Sequence, residues 1–481
     1  MAKRVVRVRS VSDGVAAATL RAGVTALQGE LGVSPDFAPE VQAAAEKAAA
    51  APRLPQLDRT DVPLVTIDPE GAMDLDQALH IERVAAGGFV VHYAIADLAA
   101  FITAGDPVDV EANNRGETLY GADDKIPLHP KAISEAAGSL LPDQVRPALL
   151  WTVTLDAHGN QTDAKVERAL VKSRAQLTYD GVQGDIDAGS ADPVFGLLKE
   201  VGELRLALEA ARGGVTLPIP EQEIDIEGDT WHLEFRAQAP VEQWNAQISL
   251  LTGMAAAKIM LDGGVGILRT LPEPDPRDVA RLRRTAQALK VDWPADVDYP
   301  AFLRTLDPTK PSHAAVAAAS TRLLRGAGYA GFHGTKPEQT RHSAIAAEYA
   351  HVTAPIRRLV DRYALECCVA LCAGEAVPDW VIAKLDTIAD TMRESGRRAR
   401  TYEGGVLDLV EAGVLSSHVG ETFAAVVVDV DEKRPTHGRI TIADPAVEAD
   451  ATSAGTLPLG QEIQVKLTEA DPAQRRVTFS A

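Results

Sequence analysis

Residues 64–80 read L-V-T-I-D-P-E-G-A-M-D-L-D-Q-A-L-H and set Asp68, Asp74 and Asp76 within nine residues of one another. Val65 and Ile67 lead in as an apolar, strand-like run, and Pro69 and Gly71 then stop regular structure and force a turn. Carboxylates crowded this closely repel each other, and a divalent cation is the usual remedy. Hard oxygen ligands favour magnesium or manganese over zinc. The plainer alternative is a solvated acidic loop.

The 481 residues are enough for two or three domains and a large core. An apolar fraction of 46% and a charged fraction of 24% are ordinary for a globular chain. The formal net charge of −20 argues against a nonspecific polyanion binder, so a nucleic-acid site must be a local basic channel. Cys367, Cys368 and Cys372 lie together in an apolar helical pattern with neither disulfide nor zinc spacing, which suits a reducing cytoplasm. The N-terminus M-A-K-R-V-V-R-V-R-S is basic, but no signal-peptide core follows it. No stretch approaches the ~20 apolar residues of a membrane span. A cytoplasmic protein without a membrane partner is expected.

Outward from the acidic stretch, residues 1–10 suit a strand or a loose basic arm. Ser12-Asp13 offers an N-cap for a helix over Val15–Leu31, and a second helix is expected over 38–49, closed by Pro52 and Pro55. This segment, 1–55, fits either a helix-turn-helix type module or a packing arm. Strand patterns follow at 88–95 and 149–155, the latter ending in the hairpin signal Asp156-Ala157-His158-Gly159. Between them a polar loop, 115–130, carries an exposed aromatic, Tyr120. After Arg174 the chain reads as mostly helical, near 194–212, 241–260, 276–290, 311–327, 355–373 and 379–413. Early strands followed by gathered helices indicate an α+β body over 56–415.

From 416 onward short strands at 422–430, 438–442, 462–467 and 476–479 fit a closed barrel of the OB type. Such barrels bind single strands by stacking bases on aromatics, of which Phe423 and Phe479 are candidates. Ten acids against six bases make a barrel that merely caps the body an equally good reading.

Basic residues gather late in the body. In H-V-T-A-P-I-R-R-L-V-D-R-Y, 351–363, Pro355 is placed to start a helix whose free N–H groups attract anions, with Arg357 and Arg358 one turn in. Arg393, Arg397, Arg398 and Arg400 form a second cluster, better read as a solvated helix face.

The run T-I-D-P-E-G-A-M-D-L-D-Q-A-L is similar to the signature of the ribonuclease II/R (RNB) family of exoribonucleases. The similarity extends through I-P-L-H-P-K-A-I-S (126–134), L-T-Y-D (177–180), T-A-P-I-R-R-L-V-D (353–361) and the C-terminal S1-like barrel. The resemblance implies an RNB catalytic body that hydrolyses single-stranded RNA in the 3′→5′ direction to nucleoside 5′-monophosphates. It further implies magnesium, for which the carboxylate chemistry leaves manganese as the alternative. A monomer is expected. Residue by residue it makes Asp68, Asp74 and Asp76 metal-binding, with Asp76 tied most closely to the chemistry. Gln77 stands where the family has a fourth aspartate. As a ligand it would supply a carbonyl but no charge. Arg357 resembles the clamp on phosphates near the 3′ end, with Arg358 beside it. Tyr120 resembles the aromatic that stacks on the terminal nucleotide. Tyr179 resembles a ribose-recognising residue whose usual glutamate partner aligns with Asn245; an amide can donate to and accept from a 2′-hydroxyl. The cold-shock modules common in the family have no room within the first sixty residues. Two alternatives stay open: a catalytically decayed RNB-fold RNA-binding protein, motivated by Gln77, and a phosphodiesterase acting on DNA or small nucleotides.

Overall fold

The computed structural model describes residues 15–85, 87–122, 125–217, 219–227 and 230–481. The basic arm, the Ser12-Asp13 cap and the acids Asp123 and Asp124 lie outside the described residues. Helices α1 (Val15–Leu31) and α2 (Pro39–Ala50) form at the expected places. They join different cores. Leu20, Val24 and Leu27 of α1 bury with the C-terminal part of the chain, whereas Val41 and Ala45 of α2 bury with the early strands.

The early strands close into a barrel. Strands β1 (Leu64–Asp68), β2 (Gln77–Arg83) and β3 (Phe89–Ala96) form an antiparallel run. Helix α3 (Pro107–Arg115) and the short hairpin β4 (Leu119–Tyr120) and β5 (Lys125–Ile126) intervene. Strands β6 (Val145–Leu155) and β7 (Gln161–Thr178) then complete the barrel, with β7 returning parallel to β1. Alternation of period two holds, but both faces are buried. Val91, Tyr93 and Ile95 pack in one cluster, and Ala94 and Ala96 in another. The β6–β7 turn is the one the sequence announces: the Asp156 carboxylate accepts the His158 and Asn160 N–H groups at 2.8 and 2.9 Å, and Gly159 takes φ 79°.

Helices α4 (Tyr179–Ala188), α5 (Pro193–Ala211) and α6 (Pro240–Gly263) follow, α5 and α6 packing on one side of this barrel. The mostly helical reading after Arg174 misses several strands. β8 (Glu221–Glu227) and β9 (Thr230–Arg236) form a hairpin, and β10 (Val265–Thr270) pairs with β11 (Gly328–His333). β12 (Arg341–His342) pairs with β13 (Ala347–Glu348). Between β10 and β11 lie α7 (Pro276–Ala288), α8 (Tyr299–Leu303) and α9 (Pro311–Ser320). The helix expected to 327 thus stops at Ser320, passes through a 3-10 turn and becomes β11 at Gly328, where Gly326-Ala327-Gly328 cannot sustain a helix.

Two helices complete the body, α10 (Leu359–Ala373) and α11 (Asp379–Leu415). Cys367 and Cys368 are buried in α10, and Cys372 is exposed. The C-terminal strands β14 (Thr422–Val430), β15 (His437–Ile442), β16 (Val447–Thr452), β17 (Glu462–Asp471) and β18 (Arg476–Ser480) close in the order β14-β15-β16-β18-β17. Strand β16, which the sequence reading passes over, completes the five. Phe479, Val465, Leu467, Val427 and Ile440 fill this second barrel together with α11 residues Val406 and Val410. Side chains of α1 and α11 interlock through glycines: a Cβ at Gly23 would meet Leu409 at 2.8 Å, and one at Gly405 would meet Leu27 at 2.9 Å. Each fully buried leucine here contributes roughly 1.5–3 kcal/mol. Among the described residues no helix is long and apolar enough to cross a membrane.

Candidate active site

Strand β1 ends at Asp68, and residues 69–76 loop over to β2. The loop is pinned by a hydroxyl and an amide. The Ser139 hydroxyl donates to Met73 O at 2.7 Å and accepts from Leu75 N–H at 2.9 Å, and the Gln176 amide donates to Ala72 O at 2.7 Å. Leu75 anchors the loop in the core.

Asp76 is buried, and its Oδ1 accepts the Ile356 N–H at 2.8 Å across 280 positions of sequence. Its Oδ2 lies 3.7 Å from Arg357 Nε. Burial pushes the Asp76 carboxyl well above its ordinary range, against the pull of Arg357. Asp68 is raised to about 7, first by burial and further by the negative charge of Asp74. One Asp68 oxygen, Oδ2, is buried without a hydrogen-bond partner. Asp74 instead meets Lys125, whose Nζ lies 2.7 Å from Asp74 Oδ1 and 3.0 Å from Glu135 Oε1.

Gln77 is occupied at both ends. Its Nε2 donates to Thr353 O at 2.6 Å, and its Oε1 accepts the Tyr93 hydroxyl at 2.5 Å. The amide therefore ties β2 to the 353–358 loop, a role the sequence reading does not foresee.

That loop is not the start of a helix, as the sequence reading has it. Helix α10 begins at Leu359, and residues 355–357 form a turn with Arg358 extended after it. The cause is Asp361. Its fully buried carboxylate accepts Ala354 N–H at 2.7 Å and grips the Arg358 guanidinium at two 2.9 Å bonds, which folds the preceding chain back over the helix end. Arg358 is thus turned inward, with its bidentate face on Asp361 instead of presented to solvent. Arg357 is the more accessible one, its side chain 42% accessible against 17% for Arg358. The loop backbone is held throughout: Thr118 N–H donates to Arg357 O at 3.0 Å, and Leu359 N–H donates to Gly116 O at 3.0 Å. From behind, His129 Nδ1 lies 3.0 Å from Ile356 O.

Tyr120 is half-buried in the β4–β5 hairpin, opposite Lys125, and not the exposed loop aromatic expected from sequence. The field of Arg357 reaches it, as do those of Asp74 and Asp76, so it borders the same site. Thr178 caps α4 by accepting Gly181 N–H, which sets Tyr179 at the first helical position. Asn245 Nδ2 on α6 donates to the Tyr179 hydroxyl at 3.0 Å, the pairing expected of these two. In the second basic cluster, Arg393 pairs with Asp390 and Arg398 caps the carbonyls of Asn114 and Arg115 at the end of α3.

The donor set suits one hard cation. Among the described residues no three acidic, imidazole or thiol groups converge closely enough to hold a metal together. Asp68 nonetheless offers an unpaired buried oxygen and shares the fields of Asp74 and Arg357 with Asp76, and magnesium is commonly held by one or two carboxylates, with water and substrate phosphate completing its shell.

Residues 56–370 match the RNB domain, and residues 421–481 match the RNase II-type exonuclease C-terminal S1 domain. The chain belongs to the RNB family. Ribonuclease R of Escherichia coli (strain K12) is 28% identical to it over 323 residues, which is 64% of this chain and 39% of that protein. Exoribonuclease 2 of Vibrio vulnificus (strain YJ016) is 39% identical over 140 residues, 29% of this chain and 21% of that protein. This RNB chain therefore spans less than two-thirds of the length of these curated relatives. Among solved structures, Mycoplasma genitalium RNase R in complex with ribose methylated single-stranded RNA superposes with TM-score 0.85 at 19% identity, covering 96% of this chain and 78% of that one. Yeast Ssd1, a pseudonuclease, superposes with TM-score 0.70 at 15% identity, covering 95% and 57%. At such identities the likeness speaks for the RNB fold alone.

Proposed function

We propose that this RNB chain is a 3′→5′ exoribonuclease that hydrolyses single-stranded RNA to nucleoside 5′-monophosphates, acting as a monomer in the cytoplasm. The observation that carries the reading is the pairing of a buried, backbone-fixed Asp76 with the partly exposed guanidinium of Arg357, 3.7 Å away. Asp68 and Asp76 would hold a divalent cation, magnesium or manganese. When bound, it polarises the attacking water and offsets charge on the phosphate.

The chain's own residues do the rest. Asp76, held by Ile356 N–H, orients the water and takes up its proton. A water oxygen–phosphorus bond forms as the phosphorus–O3′ bond breaks, and the departing 3′-oxygen gains a proton. Arg357 steadies the negative charge that builds on the phosphate. Tyr120 stacks on the last base without reading its identity. Tyr179 and Asn245 face the ribose, and the Asn245 amide hydrogen-bonds the Tyr179 hydroxyl that would contact it. The domain division that goes with this reading is 1–55 as a packing arm, 56–415 as the catalytic body and 416–481 as the S1-like barrel.

The test is a 5′-labelled single-stranded RNA incubated with magnesium or manganese. A ladder shortening from the 3′ end is expected, absent in Asp76→Asn, which should still bind RNA. Full hydrolysis by Asp76→Asn would remove the assignment. Gln77, which brings no negative charge, favours a second reading, a binding protein without activity. Intact RNA at saturating metal, with retained binding, would support that one. An RNA and a DNA oligonucleotide of one sequence in competition separate the ribonuclease from a phosphodiesterase with DNA substrates.

A further inference from the structure

We propose that Lys125 is a built-in cation of the catalytic site, so that this chain takes one divalent ion where Asp74 and a fourth carboxylate would otherwise share in binding a second. The inference rests on the metal-dependent hydrolase reading above and deepens it.

Three observations converge. First, the Lys125 ammonium sits inside the acidic cluster. Its side chain is 20% accessible, and it bridges Asp74 Oδ1 at 2.7 Å and Glu135 Oε1 at 3.0 Å. Those carboxylates come from separate segments, the 69–76 loop and the π-helical turn Ala132–Ala137. The ammonium therefore ties the acidic loop to the π-helical turn while neutralising Asp74. Second, Gln77 adds no negative charge, and its amide is spent on Thr353 and Tyr93. Among the described residues of the acidic loop, the carboxylates left to face a metal are Asp68, with its unpaired Oδ2, and Asp76. Third, the placement of Lys125 is set by strand pairing. It lies directly opposite Tyr120 in the β4–β5 hairpin, so one short element delivers both the stacking aromatic and the ammonium.

The charge balance follows. Among the described residues Asp68, Asp74, Asp76 and Glu135 meet one dication, Lys125 and Arg357 and reach neutrality, whereas a second dication would leave an excess of positive charge. A carboxylate oxygen held at 2.7 Å by an ammonium is also poorly placed to bridge a pair of metals, which in two-metal sites stand roughly 3.5–4 Å apart. A fixed ammonium needs no reorganisation, so it keeps Asp74 neutralised and in place where a second ion would otherwise do so. In this account Lys125 is a positioning residue that acts through Asp74.

The experiment is manganese binding to the full chain without RNA, by titration calorimetry and by electron paramagnetic resonance of free Mn2+. The wild type should bind one Mn2+ per chain. The double variant Lys125→Met/Gln77→Asp should bind two. For hydrolysis, Lys125→Met should lower kcat by about 100-fold with KM for RNA changed by less than about two-fold, the scale seen when one preorganised charge donor is removed. Lys125→Arg should restore most of kcat. Two Mn2+ in the wild type, none in the wild type, or an unchanged kcat in a folded Lys125→Met would each overturn the proposal. If Lys125→Met does not fold, the wild-type stoichiometry and Lys125→Arg decide it. Failure of the hydrolase reading would show differently: intact RNA under every condition, with the Mn2+ stoichiometries still measurable.

Discussion

His129 shows how a single residue can matter to a site it never touches. A backbone carbonyl only accepts, so the 3.0 Å contact with Ile356 O places the proton on Nδ1. Nε2 is then an unprotonated nitrogen, buried without a hydrogen-bond partner. Burial drives the imidazole down to about 4, with Ile356 O opposing the shift and the charge of Arg362 adding to it. The folded value is below the unfolded one, near 6.5, so the unfolded chain binds more protons between the two. Stability from this group is therefore present above pH 6.5 and is lost as pH falls from 6.5 toward 4, by up to roughly 3 kcal/mol. His129→Leu should flatten that slope in urea melts at pH 7.5 and 5.0. It should also lower the midpoint at pH 7.5, since an unpaired Ile356 carbonyl costs about 1–3 kcal/mol. An unchanged slope would sink the assignment. Residues 126–130, I-P-L-H-P, are visible as a motif in the sequence, yet nothing in the motif says that its histidine backs the peptide that fixes Asp76.

Among the secondary-structure elements, the 353–358 loop owes its shape to neighbours. Helix α6 supports the approach to it through a glycine. A Cβ at Gly253 would lie 2.1 Å from the Tyr349 ring and 2.6 Å from Ala350 O, and Ala350 N–H donates to Gly253 O at 3.1 Å. The backbone of 349–350 cannot yield without moving His351 and the loop beyond it. Gly253→Ala should therefore cost about 1–3 kcal/mol of stability through overpacking and lower kcat as well. Thermal melts and the RNA ladder read the two effects; a variant with normal Tm and kcat would show that the approach is looser than described. The failed expectation of a helix from Pro355 belongs at this scale too. Proline is a sound helix starter by local rules, but the local rule loses to Asp361, which recruits Ala354 N–H and Arg358 to its own side. Local pattern likewise hides the β-structure between 221 and 348, because short strands paired across long insertions leave little periodicity to read.

Across the whole molecule, the second barrel is joined to the body by buried polar bonds as well as apolar packing. Gln222 Nε2 donates to Glu411 Oε1 at 2.8 Å and to Ala446 O at 2.7 Å, and Ala446 N–H donates to Leu233 O at 2.8 Å. Glu411 also accepts the Glu448 N–H at 3.2 Å, so α11, β8, β9 and the barrel meet at one point. Gln222→Leu removes two buried donated bonds and should destabilise the joint by about 1–3 kcal/mol. Limited proteolysis should then cut near the 416–421 connection sooner than in wild type; equal cleavage rates would argue against a shared joint. The net charge of −20 also finds its place at this scale. Around the groove beside the barrel, Arg281 meets Glu432, Arg322 meets Asp429, and Arg434 meets Asp431. The arginines of this face are thus paired with acids, while the Arg357 side chain stays 42% accessible with its nearest aspartate oxygen 3.7 Å away.

What the sequence by itself determined is the stock of chemistry and the outline of the fold. Asp68, Asp74, Asp76, Tyr120, Tyr179 and Arg357 are visible in ordered motifs, as are the α+β body and the terminal barrel. These are legible because turn residues, strand alternation and clustered carboxylates act over a few positions. Only the tertiary structure decided how they are used. It turned Arg358 inward and left Arg357 out, engaged Gln77 at both ends, and set Lys125 on Asp74 across 51 residues. Those outcomes depend on hydrogen bonds and ion pairs between segments as much as 280 residues apart, whose partners are chosen by burial and packing and leave no trace in local spacing.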